Sequence, residues 1–153
     1  MINPFTDDTI RRLLPDAIRV IRRRLFTVSR GTDPALIADA DADALTHVLA
    51  EAGYIHPWLL SYHYEGEDVN LVRFWYDSDD HPDHPHRQDH VRLFTDKYPD
   101  GVTGIEPHTE ASSVTHPDAH LDEVGFSRDP AIDRIKSHLD HANITYEHSQ
   151  TGN

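Results

Sequence analysis

No cysteine occurs among the 153 residues, which excludes disulfides, thiolate nucleophiles and cysteine-ligated zinc. Lysine is nearly as scarce: Lys97 and Lys136 stand against twelve arginines. No apolar run is long enough to cross a bilayer, and the opening MINPFTDDTIRRLL has no hydrophobic stretch of the signal-peptide kind. These absences point to a cytoplasmic protein with no membrane partner.

Acid dominates what is present. Twenty Asp and seven Glu bring the formal net charge to −13. An aspartate-rich, lysine-poor chain suits concentrated salt, where self-repulsion is screened over a few Ångströms and a hydrated acidic surface keeps the protein soluble. The charge is uneven. Residues 1–30 carry seven Arg and three Asp, a balance of +4, which leaves −17 for residues 31–153. A basic segment on an acidic body is a candidate contact for nucleic acid or an acidic partner, or for the acidic remainder of the same chain.

The length suits a single domain, 1–153. Its first 53 residues read as helical, 54–147 as a sheet with one helix, and 148–153 as a tail. Thr6, Asp7 and Asp8 form a helix start, and apolar residues recur at helical spacing from Ile10 to Val28. Asp33-Pro34 opens a short helical piece. Asp41 or Asp43 caps a helix through Ala52, with Leu45, Val48 and Leu49 inward and Gly53 as its stop.

From Trp58 the period changes to two. Trp58–Tyr64 reads as a strand, Glu65–Asp68 as a turn, and Val69–Asp77 as the returning arm of a hairpin. A third strand starts near His90, and a fourth runs from Ile105 to Val114 despite Pro107. Asp129-Pro130 opens a last helix that carries Ile132, Ile135 and Leu139, and Ile144–Glu147 supplies an edge strand. The expected class is α+β: an antiparallel sheet of about four strands, flanked by N-terminal helices and one C-terminal helix.

The densest chemistry lies at Asp77–Arg92, DSDDHPDHPHRQDHVR, with four His, five Asp and two Pro. A stretch this polar, broken by proline, reads as a loop. Turning the apolar sets of the strands toward the helices gathers His63, Arg73, Asp77, His90, Arg92, His108 and Glu110 on the other face, with Trp75 as its aromatic member. His84 and His86 arrive from the loop. This sorting rests on register, because a slip of one residue inverts a whole strand.

Three chemistries suit the set. His84, His86 and His90 are candidate ligands for a divalent metal, the one cofactor the sequence suggests. His63, His90 or His108 beside Arg73 or Arg92 suits acid–base cleavage of RNA, with the 2′-hydroxyl as nucleophile. Arginine beside an aromatic ring can also clamp phosphate and stack a base without catalysis.

The run Leu60–His90 resembles the TumE-type toxins of toxin–antitoxin systems and related small proteins of salt-loving archaea. The resemblance is carried by Arg73, Asp77, Pro85, His86 and His90, about a third of the chain, and leaves out residues 1–53. It implies a toxin-like protein with a helix-turn-helix antitoxin as partner and RNA as target. With the residues it yields a candidate catalytic set of His86, His90, Asp77, Arg73, Arg92, His63 and His108. The rival readings are a non-catalytic interaction module with a basic N-terminal helix and a histidine-rich metal-binding protein.

Overall fold

The computed structural model describes residues 27–28, 33–56, 63–76, 86–123 and 125–149. The side chains of His63 and Tyr76 lie outside that description. So do residues 6–26 of the expected first helix, most of the strand expected from Trp58, and Asp77–Pro85 of the histidine-rich stretch.

Five antiparallel strands form the main sheet. In spatial order they are β4 (Val69–Tyr76), β5 (His86–Phe94), β6 (Thr103–Ala111), β2 (Leu36–Ala38) and β7 (Tyr146–His148). A separate two-stranded pair joins β1 (Thr27–Val28) to β3 (His63–Tyr64) in parallel. Three helices are described: α1 (Ala42–Glu51), α2 (Pro117–Leu121) and α3 (Asp129–His141). The α+β class and its antiparallel sheet match the expectation from sequence.

One face of the sheet holds the apolar core. Leu45 and Leu49 of α1, with Ala131, Ile135 and Leu139 of α3, repeat at helical spacing and are fully buried. Leu45, Leu49, Ile135 and Leu139 meet Val69 and Leu71 of β4, Val91 and Leu93 of β5, Ile105 of β6 and Leu36 and Ala38 of β2. Asp41 caps α1 by accepting from the Ala44 amide at 2.7 Å. Gly53 (φ 90°) and Asn143 (φ 56°) supply the left-handed turns that follow α1 and α3.

Several local expectations are corrected. Val28 belongs to a strand rather than to a helix. The segment after Pro34 forms β2, because it fills the gap between β6 and β7 and bonds to both. Among the described residues the segments on either side of Glu65–Asp68 do not pair as the expected hairpin: β3 pairs with β1 and β4 with β5. The third strand begins at His86, four residues earlier than its apolar pattern suggests, because cross-strand partners extend to Tyr76↔His86.

Pro107 is compatible with an interior strand for a positional reason. Ile105 and Thr109 direct their main-chain groups away from β5, toward Ala35 and Ser127. Pro107 is in phase with them, so its missing N–H falls between the end of β2 and the Thr109–Ser127 bridge.

Candidate functional site

The other face of β5 and β6 is polar and buried. Direct cross-strand neighbours are Gln88↔Glu110, His90↔His108 and Arg92↔Glu106. Such partners share a face and stand only about 5 Å apart. These six residues are no more than 6 % exposed. Cover comes from Phe126, stacked on the His108 ring at 5.0 Å, and from His120 on α2, whose side chain is 20 % exposed.

Arg92 anchors the lower half. Its Nη1 donates to Glu106 Oε2 at 3.1 Å, and its Nε lies 3.3 Å from Glu67 Oε2. The guanidinium sits over the Tyr64 ring, 3.9 Å from its centroid. Arg128 adds a second cation, 3.8 Å from Glu106 Oε1. Arg92 is thus committed to two carboxylates and an aromatic ring. It positions Glu106, and through it His108.

The upper half is a knot of imidazoles around one carboxylate. Glu110 Oε1 lies 3.7 Å from His90 Nε2, 3.5 Å from His108 Nε2 and 3.3 Å from His120 Nδ1. Gln88 Nε2 lies 3.0 Å from both Glu110 Oε1 and His90 Nε2. Its orientation is set from the other end, where Gln88 Oε1 accepts from the amide and hydroxyl of Ser113 at 2.9 and 3.0 Å. A backbone N–H only donates, so the amide oxygen must face Ser113 and the NH₂ must face the histidines.

Protonation follows this wiring. Burial pushes Glu106 up, but the hydrogen bond and charge of His108, then Arg92 and Arg128, outweigh it and hold the carboxyl at about 2. Burial pushes His108 down, yet contacts with Glu106 and Glu110 leave it raised above its ordinary value. Glu110 is lowered: burial opposes ionisation, and His108, His120 and Gln88 more than offset it.

Of the residues singled out from sequence, the fold unites His90, Arg92, His108 and Glu110. Arg73 and Trp75 are corrected: Leu71, not Val72, faces the core, so β4 lies in the opposite phase and both residues point to the helix side. There Arg73 lies near the Tyr54 ring, and Arg134 lies over Trp75. His86 is on the polar face, edge-on to His116 at 5.6 Å. It stands about 13 Å along the strand from His90. Of the expected ligand trio of His84, His86 and His90, His84 lies outside the described residues; among those described, His90, His108 and Glu110 bring their ligand atoms within 4.8 Å of one another. Asp77, His84 and the side chain of His63 lie outside the described residues.

Sequence reasoning did not single out Gln88 or His120, which the fold adds. Gln88 was hidden inside the presumed loop, and His120 reaches the site from a helix outside the sheet. No protein-family model matches the chain, and no curated protein and no solved structure is significantly similar to it.

Proposed function

We propose that the polar sheet face is the working surface of a toxin-like protein that binds RNA and cleaves it, as the resemblance to TumE-type toxins implies. The observation that carries this reading is the convergence of His90 and His108, rings 5.3 Å apart, on the single carboxylate Glu110. RNA brings its own nucleophile in the 2′-hydroxyl. Such a surface needs only groups that manage protons or developing charge, and no serine or cysteine. His90 and His108 stand at the reacting centre in this reading, with Arg92 and Glu106 fixing His108.

The aspartate-rich, lysine-poor composition supports a protein working in concentrated salt. The cytoplasm is the corresponding compartment, and a helix-turn-helix antitoxin the corresponding partner. Expression of the wild type in a salt-loving host is expected to arrest growth with loss of cellular RNA, and His90→Ala and His108→Ala are expected to relieve both. RNA cleavage undiminished in both variants would overturn the reading.

A further inference from the structure

The polar face contains three buried carboxylates, Glu67, Glu106 and Glu110, which share their guanidinium partners unequally. Arg92 serves Glu67 and Glu106, and Arg128 also approaches Glu106. Among the described residues no arginine or lysine reaches Glu110, whose polar neighbours are His90, His108, His120 and Gln88. A buried carboxylate needs a compensating positive charge. The imidazoles supply that charge only when protonated, and a bound cation would supply it in place of their protons.

We propose that this cluster is a transition-metal site. His90 Nε2, His108 Nε2 and Glu110 Oε1 bind one divalent ion of the zinc class, with a coordination position left open beside His120. The inference goes beyond the RNA reading and stands whether or not RNA is the substrate.

The spacing fits. Metal bonds of about 2.0–2.1 Å in tetrahedral geometry set donor atoms about 3.4 Å apart. The two separations through Glu110 are 3.5 and 3.7 Å. The three donor atoms lie within 4.8 Å of one another, so a small ring rotation closes the set.

The ring nitrogens are suitably placed. His108 Nδ1 lies 3.4 Å from Glu106 Oε2, and with its proton shared there Nε2, which faces Glu110, would give up its own proton to an incoming ion. A carboxylate behind a ligand histidine is the usual outer-shell arrangement of such sites. His90 Nε2 lies 3.0 Å from the Gln88 NH₂ and accepts from it, so it is the unprotonated nitrogen; a bound ion would take the amide's place on its one lone pair. His120 Nδ1 is 3.1 Å from the Ala111 carbonyl, which can only accept; this nitrogen donates there and does not ligate.

The donor set selects the ion class. Two imidazoles and one carboxylate favour zinc and its first-row neighbours, whereas magnesium and calcium prefer oxygen ligands. Three protein ligands are also the number that leaves room for water or substrate.

The test uses the full chain, stripped with chelator and returned to saline buffer. Titration with Zn(II) by calorimetry, and with Co(II) by visible absorption, is expected to show one tight equivalent, with Mg(II) failing to compete. His90→Ala and His108→Ala should each weaken Zn(II) by more than about 100-fold, beyond the 10–100-fold that outer-shell groups contribute. The near-isosteric Glu110→Gln should weaken it while circular dichroism reports an intact fold, and His47→Ala, on exposed α1 surface, should bind like the wild type.

Failure of the wild type to bind Zn(II) or Co(II) overturns the proposal. So does full binding in both histidine variants, which would put the ion elsewhere, such as on His81 and His84. Because no RNA enters the measurement, tight metal binding without RNA cleavage would keep this site and remove only the RNA reading.

Discussion

Replacing Arg134 by methionine should destabilise the protein by about 2–4 kcal/mol. On the helix side of the sheet, Asp89 is 1 % exposed and accepts from Arg134 Nε at 2.7 Å and Nη2 at 2.6 Å. Thr109 donates to the same carboxylate at 2.6 Å, and the Tyr54 hydroxyl lies 3.4 Å away. Removing one partner of a buried ion pair costs about 3–5 kcal/mol, because the other charge is left without compensation. The Arg134 side chain is 30 % exposed, so water reaches the vacated space and the expected loss falls somewhat below that range. The double change Asp89→Asn with Arg134→Met should recover at least half of the loss, since no bare charge remains. Urea unfolding at high salt is the assay, with a lower midpoint and an unchanged slope. Salt at about 1 M screens charges beyond about 3 Å in solvent but acts far less on a buried pair. The loss should therefore persist there, while the exposed His47–Glu51 contact contributes nothing measurable. An Arg134→Met protein within about 0.5 kcal/mol of wild type, or a double variant no better than the single, would refute the reasoning.

Two further perturbations probe the same fold. Gly104→Ala would set a Cβ 2.6 Å from the Tyr98 ring and 2.7 Å from the Pro34 ring, and should destabilise by about 1–3 kcal/mol; an unchanged melting temperature would mean that the two rings are not packed there. In the chelator-treated protein, Glu106, held at about 2 against an ordinary 4.5, contributes stability that is fully present above pH 4.5 and lost as pH falls toward 2, roughly 3 kcal/mol in all. His108 has the opposite sign: its raised value contributes stability below pH 6.5 that is lost as pH rises through that value. The stability difference between wild type and Glu106→Gln should thus be largest between pH 4.5 and 6.5, and a difference that grows from pH 6.5 to 9 would contradict the assignment.

The sequence was informative where one face of an element meets solvent. Leu45 and Leu49 on α1, and Ile135 and Leu139 on α3, repeat at helical spacing because the opposite sides of those helices are exposed, and both helices were found. Alternation in β5 and β6 correctly separated Val91, Leu93 and Ile105 from His90, Arg92 and His108. It failed in β4, where Leu71 and Val72 are both 1 % exposed. A strand buried on both faces offers no apolar phase, and the bulky Val72, Phe74 and Tyr76 suggested the wrong one. The same two-sided burial concealed the first half of β5: Gln88, Asp89 and His90 look like loop residues until Glu110 and Arg134 are seen to satisfy them. Partners 20 to 45 residues away along the chain leave no local trace at the residue they satisfy.

The two proposals for the polar face are linked by charge. Glu67, Glu106 and Glu110 contribute three negative charges, and Arg92 and Arg128 return two, a balance of −1 when the histidines are neutral. A face of that sign repels a phosphodiester, more so in a chain with a net charge of −13. A divalent ion held by His90, His108 and Glu110 changes the local balance from −1 to +1 and places that charge beside His120, at the partly exposed side of the cluster. The proposed ion site would fill with no RNA present, whereas the proposed RNA cleavage at this face would gain from the ion, which would attract the phosphate and stabilise the charge that develops on it.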